Sequence, residues 1–229
     1  SGYEEAACQG LMAGINASLK LRNKEPLILR RDEAYIGVLI DDLVTKGIND
    51  PYRMLTSRAE YRLLLRHDNA DQRLTEYGYQ VGLVSEKRYN SFKNKMSIIE
   101  SEKEFLSNLK ITPVKGVNEY LTSIGSAPLK DGIYASDLMK RPEVEYFDIY
   151  EMAGLALKTE VSNNIANQIT IEIKYNGYIE KAYRDSKKVL KLESKIIPED
   201  INYYDIPNLA SEAREKLSKI RPHTVSQAN

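Results

Sequence analysis

The sequence of 229 residues contains one cysteine, no tryptophan and two histidines. A lone Cys8 excludes an internal disulfide framework and is typical of a reducing compartment. His67 and His223 lie far apart, and neither is near Cys8, so zinc-ligand spacing is absent and we expect no metal site. No apolar run approaches the roughly 20 residues that cross a bilayer, and the first residues lack an export signature. We therefore expect a cytoplasmic protein without a membrane segment.

An excess of charge of one sign is missing as well, since 33 basic side chains balance 33 acidic ones. The chain has neither a G-x-G-x-x-G nor a G-x-x-x-x-G-K-[ST] phosphate loop. An autonomous enzyme would have to use carboxylates such as Glu4, Glu5, Asp41 or Asp42. Asp41 and Asp42 are neighbours on a predicted helix and diverge by about 100°, so they cannot face one substrate together. We therefore predict no catalytic residue within this chain.

What the chain does have is a local concentration of arginine between Pro51 and Leu74, called the arginine row below. Its members are Arg53, Arg58, Arg62, Arg66 and Arg73. In a strand over residues 57–66, Arg58, Arg62 and Arg66 share one face. The apolar residues share the other face, which predicts Tyr61 in the core. In a helix the same three recur at i, i+4 and i+8. Either geometry presents planar, permanent charges that suit phosphate or carboxylate, and the alternative is a solvated face paired with nearby acids.

Helix caps and apolar periodicity predict a mainly α fold, with a small α+β segment at the N-terminal end. We expect the strands within the first 70 or so residues, at 27–29 and 57–66. The predicted helices cover 3–19, 36–46, a segment capped by Asp68 or Asn69 and ending at Gly82, a long segment after Ser85, 117–123, a brief helix after Ser136, 147–158 and a segment capped by Ser211. In the first of these helices, Gly10 and Gly14 share a smooth face with alanines, which suits close approach to a sheet, another helix or a cofactor.

Residues 169–175, ITIEIKY, are ambiguous. They alternate like a strand and precede Asn176-Gly177, a strong hairpin signal. Ser162-Asn163 could instead cap a helix that runs through them. The residues alone leave helix and hairpin open.

Four stretches of the sequence resemble one known family, MnmG, also called GidA, whose members are flavin-dependent and modify tRNA. They are GYEEAACQGLMAGINASL, AYIGVLIDDLVTKGINDPYRMLTSRAEYRLLLRHDNADQRLTEYGYQVGLV, IEIKYNGYIEKAY and IPEDINYYDIPNLASEAREKLSKIRPHTVSQA. The likeness follows the whole chain in order but covers only the family's C-terminal part. The family's phosphate loop, nicotinamide region and redox cysteines would lie before Ser1. We expect a piece truncated at both ends, or one with a disordered tail.

The resemblance implies an activity for the intact protein. It would bind FAD, be reduced by NADH and use methylene-tetrahydrofolate as a one-carbon source. With the GTPase MnmE it would add a carboxymethylaminomethyl or aminomethyl group to C5 of the tRNA wobble uridine, as a cytoplasmic homodimer. The resemblance also implies that residues 1–67 end the FAD-binding domain and that 68–229 form a helical domain for tRNA and partner binding. By the same likeness, the ambiguous segment is helical.

The resemblance also implies roles for individual residues. Gly2, Tyr3, Glu4 and Glu5 would lie near the flavin, Cys8 would be a packing residue, and the arginine row would bind tRNA phosphates. Without the phosphate loop, we expect this chain alone to carry no FAD and to be inactive. The alternative function is a protein–protein interaction module with no nucleic-acid role.

Overall fold

The computed structural model of the chain describes residues 2–45, 51–225 and 228, and the described residues are mainly helical. The helices are α1 Tyr3–Leu21, α2 Tyr35–Thr45, α3 Ala70–Gln80, α4 Glu86–Asn108, α5 Lys115–Ser123, α6 Ala135–Leu138, α7 Tyr146–Ala153, α8 Asn163–Glu193 and α9 Ser211–Ile220. Two short strands, β1 Lys110–Ile111 and β2 Ile133–Tyr134, form an antiparallel pair. The mainly α prediction is therefore confirmed.

The chain divides into two compact units, Ser1–Ile179 and Glu180–Asn229. The second unit contains the end of α8 and all of α9, and it is closed by a bridge between Ile196 and Thr224. The predicted boundary between residues 67 and 68 stays a prediction.

The core of the first unit lies among α4 to α8 and the two strands. α4 contributes Ile99 and Leu106, which are fully buried one heptad apart on its inner face. Against them pack buried residues of α5, α6, α7 and α8. Ser85 caps α4 as predicted, since its hydroxyl accepts a hydrogen bond from the N–H of Arg88 at 3.4 Å. The capped, amphipathic α4 is thus the central element of this core.

A buried carboxylate lies at the centre of that core. Glu102 is 1% exposed and accepts hydrogen bonds from the hydroxyls of Tyr146 at 2.8 Å and Tyr150 at 2.6 Å, and from the ammonium of Lys158. Burial opposes ionisation, but hydrogen bonds from Lys158, Tyr150 and Tyr146 outweigh it and hold the pKa of Glu102 below its usual range. The network joins α4 to α7 and to the loop after α7.

The ambiguous segment is part of α8, so the helical prediction is confirmed and the hairpin is excluded. Ile165, Ile169 and Ile173 are buried at i, i+4 and i+8, the spacing of one helix face. The Asn176-Gly177 pair lies inside the helix, and a Cβ atom at Gly177 would meet nothing within 4 Å.

The predicted strands at 27–29 and 57–66 are wrong, because both segments are irregular. Residues 56–58 form a short 3-10 turn, and turns follow it. The two strands observed lie instead at 110–111 and 133–134. The prediction that Ser211 caps α9 is wrong by one residue. Ser211 is the first residue of the helix, and Ala210 occupies the N-cap position.

Two asparagine side chains take the place of a strand partner. Asn16 on α1 donates to the carbonyl of Leu27 at 3.0 Å and accepts from its N–H at 2.7 Å. Asn118 on α5 does the same for Leu129, at 3.2 Å and 2.7 Å. Because a carboxamide carries a donor and an acceptor side by side, it satisfies both backbone groups of the extended residue.

Candidate nucleic-acid interface

The segment that carries the arginine row is anchored by Arg31, which precedes α2. Its Nη1 atom lies 2.6 Å from Oδ1 of Asp42 and 2.9 Å from Oδ2 of Asp41. Its Nη2 atom lies 2.7 Å from Oε1 of Glu60 and donates to the carbonyl of Arg58 at 3.0 Å. Arg31 therefore ties α2 to the irregular segment and is paired with three carboxylates at once.

The charges of this cluster stabilise one another. Burial opposes the charge of Arg31, but hydrogen bonds to Glu60, Asp42 and Asp41 raise the pKa of the guanidinium. Asp42 is 1% exposed and also accepts a hydrogen bond from the hydroxyl of Tyr52 at 2.9 Å. Burial, and then this bond to Asp42, raise the pKa of Tyr52 to about 12. At neutral pH Tyr52 is therefore a neutral hydrogen-bond donor.

Arg53 and Arg58 lie side by side at the surface. The Nε atom of Arg58 donates to the carbonyl of Arg53 at 2.9 Å, and its guanidinium carbon lies 4.5 Å from the centre of the Tyr52 ring. Asp42 is 3.8 Å from Nη1 of Arg58, a longer contact than the one it makes with Arg31. The side chain of Arg53 is 65% exposed, and its Nε atom lies 3.9 Å from Oε1 of Glu5. Arg58 is therefore fixed by its hydrogen bond and by the Tyr52 ring, and both guanidinium groups remain open to solvent.

Arg62 is exposed and forms no ion pair with any residue in the part of the chain that the structure describes. Together with Arg53 and Arg58 it makes up what we call the exposed arginine set. These three charges lie on a segment whose own acidic neighbour, Glu60, is already paired with Arg31.

Arg66 and Arg73 have a different role. The predicted exposed surface of Arg58, Arg62 and Arg66, which Arg53 and Arg73 would extend, is wrong for Arg66, because its side chain is mostly buried. The side chain of Arg66 is only 15% exposed, with Nε 3.1 Å from Asp68 and Nη1 donating to the carbonyl of Leu63 at 2.6 Å. Arg73 donates to Asn69 at 3.0 Å, to the carbonyl of Arg66 at 2.9 Å and to the carbonyl of Glu33. These contacts close the irregular segment onto α3.

The apolar side of the segment also departs from the predicted alternation. Ala59, Leu64 and Leu65 are buried, whereas Leu63 is exposed and Tyr61 is half-buried. The prediction that Tyr61 is a core residue is therefore wrong. Turns at this point rotate successive side chains by other angles than the 180° of a strand.

Arg31 is the functional residue that sequence reasoning missed. It lies 22 positions before Arg53, outside the concentration of arginine, and its acidic partners come from two separate segments. The one available signal was the adjacent pair of acids at the centre of α2. A buried acid on a helix face requires a cationic partner.

The first turn of α1 forms a second candidate site. Glu5 is 4% exposed, and its Oε1 atom accepts from the N–H of Met54 at 2.8 Å. This hydrogen bond is the largest cause that holds the pKa of Glu5 below its usual range. The other oxygen, Oε2, is buried without a hydrogen-bond partner. Tyr3 and Glu4 are exposed, and a Cβ atom at Gly2 would collide with Arg53 and come within 2.5 Å of Glu5 Oε2.

Across residues 2–45, 51–225 and 228, no three or more His, Cys, Asp or Glu side chains are grouped so that they could hold a metal ion. In the same part of the chain, no helix has the length and apolar character needed to span a membrane.

Comparison at the family level matches three separate stretches of the chain. Residues 86–183 match the tRNA modifying enzyme MnmG/GidA C-terminal helical domain. Residues 185–229 match the tRNA modifying enzyme MnmG/GidA C-terminal helical bundle. Residues 1–25 match the family described as glucose inhibited division protein A.

Individual relatives agree with these matches. The chain is 57% identical over its whole length to a protein of Bacillus licheniformis and to one of Listeria monocytogenes, each named tRNA uridine 5-carboxymethylaminomethyl modification enzyme MnmG. It spans 36% of each of these relatives. It is also similar to Aquifex aeolicus GidA in the form II crystal, with a TM-score of 0.76 and 42% identity, over 100% of this chain and 35% of that one.

Proposed function

This chain belongs to the MnmG/GidA family of tRNA modifying enzymes, and from that premise we propose that it is the tRNA- and partner-docking part of such an enzyme. The intact protein would add a carboxymethylaminomethyl or aminomethyl group to C5 of the tRNA wobble uridine. It would use FAD, NADH and methylene-tetrahydrofolate and act with the GTPase MnmE, as a cytoplasmic homodimer. The chain alone would be inactive.

The observation that carries the docking proposal is the exposed arginine set. Arg53, Arg58 and Arg62 are exposed, and the acids Asp41, Asp42 and Glu60 make their shorter contacts with Arg31, whereas Arg53 and Arg58 meet Glu5 and Asp42 only at 3.9 Å and 3.8 Å. Guanidinium groups are planar, permanently charged and weakly hydrated, which suits bidentate contacts to phosphate. Such contacts fix the position of an RNA without reading its sequence.

Salt dependence is the direct test, because a cation that neutralises a phosphate releases a condensed counterion. We would titrate the 229-residue chain with a tRNA transcript at several salt concentrations. Replacing Arg62 with Ala should weaken binding, and the slope of log K against log[salt] should fall by about one unit. The fold should be unaffected, since Arg62 is exposed and substitutions of exposed residues usually change stability by less than about 0.5 kcal/mol.

Arg22→Ala is the matched control. Arg22 is an exposed arginine at the C-terminal end of α1, about 25 Å along that helix from Glu5. Arg22→Ala should change neither the affinity for tRNA nor the slope of log K against log[salt]. Equal effects of Arg22→Ala and Arg62→Ala would contradict a localised phosphate site. Absence of salt-dependent tRNA binding would favour the alternative, a module that binds an acidic protein.

The first turn of α1 supports a role near the flavin. Its N–H groups carry no side-chain cap, and Glu5 Oε2 is a buried acceptor that lacks a donor. Glu4 and Glu5 disfavour phosphate at this end, so the fit is to the uncharged hydrogen-bond donors of FAD. FAD supplies oxidation–reduction chemistry when bound, and Glu5 would accept one hydrogen bond from it. The chain purified alone should show no flavin absorbance, because the phosphate loop of the family is absent.

A further inference from the structure

A pair of stacked tyrosines joins the end of α3 to the start of α4. The ring centres of Tyr79 and Tyr89 are 4.0 Å apart, and their planes are 4° from parallel. The hydroxyl of Tyr89 donates to Glu76, and the ammonium of Lys93 lies 5.6 Å from the centre of the Tyr89 ring. Tyr89 is thus held by three neighbours, and Tyr79 is the outer member of the stack.

The turn between the two helices fixes this arrangement. The N–H groups of Leu83 and Val84 both donate to the carbonyl of Gly78, at 2.8 Å and 3.1 Å, and Gly82 has a φ of 85°. The side chain of Val84 packs so closely on Gly78 that a Cβ atom there would lie 2.8 Å from it. The two rings are therefore preorganised by backbone hydrogen bonds and by packing.

The stack is partly exposed and has basic residues near it in the sequence. Tyr79 is 38% exposed and belongs to neither of the hydrophobic clusters. Exposed basic residues follow it on α4, namely Lys87, Arg88 and Lys93, and the exposed acids nearby are Glu76 and Glu86. An exposed aromatic ring with basic side chains on the neighbouring helix is an arrangement with which proteins bind unpaired bases of single-stranded nucleic acid.

We propose that the Tyr79–Tyr89 stack is a platform for one unpaired nucleobase of RNA, which stacks on the outer face of Tyr79. The proposal rests on the proposed function, since the RNA would be the one that meets the exposed arginine set. α3 rises about 14 Å from Ala70 to Tyr79, so the platform lies about one helix length from the segment that carries those arginines. One RNA could meet the arginines through its phosphates and Tyr79 through a base.

The test separates stacking from charge. We would measure binding of the 229-residue chain to a tRNA transcript and to a single-stranded oligouridylate. Replacing Tyr79 with Leu keeps apolar volume but removes the ring, and should weaken both complexes roughly tenfold. Tyr79→Phe should bind as the parent does. The salt slope should stay unchanged in Tyr79→Leu, because no phosphate contact is lost.

Two further variants guard against loss of folding and against a general effect of exposed tyrosines. Tyr79→Trp enlarges the ring and should bind about two- to threefold more tightly, a gain that partial unfolding cannot produce. Tyr134→Leu removes a half-exposed tyrosine of β2 and should change nothing.

The outcomes are distinguishable. If the parent binds tRNA with a steep salt slope and Tyr79→Leu binds equally well, the stacking inference fails and the proposed function stands. Equal weakening by Tyr79→Phe and Tyr79→Leu would assign the effect to the hydroxyl and also overturn stacking. If the parent chain shows no salt-dependent binding of tRNA, the proposed function fails, and the stacking proposal that rests on it fails as well.

Discussion

The Nη1 atom of Arg31 lies 2.6 Å from Oδ1 of Asp42, a carboxylate that is almost completely buried on α2. This pair explains how a strongly basic segment can fold beside two adjacent acids. Arg31 forms ion pairs with both acids, and the exposed arginine set remains at the surface. The arginine that stabilises the segment is therefore a different residue from those proposed to bind RNA.

Replacing Arg31 with Ala should destabilise the first unit by about 3–5 kcal/mol. The change removes the 2.6 Å ion pair of the buried Asp42, whose other contacts include the hydroxyl of Tyr52 at 2.9 Å and the guanidinium of Arg58 at 3.8 Å, and breaking a buried pair on one side costs about that much. Chemical denaturation followed by circular dichroism measures the change. Arg62→Ala, on the same segment, is the control and should alter the unfolding free energy by less than about 0.5 kcal/mol. A stable Arg31→Ala variant would show that Arg58 can replace the lost partner.

Arg73 should be a structural residue that makes little contribution to RNA affinity. Its guanidinium donates to two backbone carbonyls and to Asn69, so Arg73→Ala leaves these acceptors without partners, at about 1–3 kcal/mol for each one that is shielded from water. The variant should melt early, while its folded fraction keeps the tRNA salt slope of the parent. If the variant had a reduced tRNA salt slope and an unchanged melting temperature, Arg73 would instead be a phosphate-binding residue.

Glu102 should make stability depend on acid. Its pKa is lowered in the folded state, so it contributes stability above the ordinary glutamate value of about 4.3, and this contribution is lost as the pH falls through the lower folded value. Glu102→Gln should be less stable at pH 7, with a flatter decline below about pH 4. Thermal unfolding of parent and variant across that pH range provides the measurement. Parallel curves for the two proteins would assign the acid sensitivity to other carboxylates.

Two glycines should respond in opposite directions to replacement by alanine. A Cβ atom at Gly37 would collide with the carbonyl of Arg30 and lie 2.5 Å from that of Leu29, so Gly37→Ala must displace α2. A Cβ atom at Gly10 would meet nothing within 4 Å, so Gly10→Ala should stabilise α1 in this chain by up to about 1 kcal/mol. Thermal melts of both variants check the pair. Destabilisation by Gly10→Ala would mean that something packs on that exposed face in solution.

The helices could be predicted because their signals are local. Ser85 caps α4 through a residue only three positions away, and the apolar residues of α4 repeat within one or two helical turns. The segment 169–175 is ambiguous in sequence because isoleucines at 169, 171 and 173 fit the period of a strand, whereas those at 165, 169 and 173 fit the period of a helix. Tertiary packing decided it, since Ile169 and Ile173 bury the same helix face as Ile165.

The irregular segment could not be predicted, because its hydrogen bonds come from distant side chains. Alternating apolar residues from Ala59 to Leu65 suggest a strand, but a strand requires a neighbouring strand to satisfy its backbone. In the part of the chain described, no strand pairs with residues 57–66. Arg31 and Arg58 supply bonds to the carbonyls of Arg58 and Arg53 instead. The concentration of charge at the candidate site could thus be predicted from the sequence. Which arginines are paired within the fold and which are exposed could not.

The carboxamide pairs Asn16–Leu27 and Asn118–Leu129 have a consequence for how the chain tolerates change. Each pair ties a helix to the residue 11 positions later and closes a short loop at its base. Once the ends of a loop are held, each doubling of its length adds only about 0.6 kcal/mol of entropic cost. The turns after α1 and α5 are therefore positions where extra residues, or a fused domain, can be inserted while both anchors remain in register.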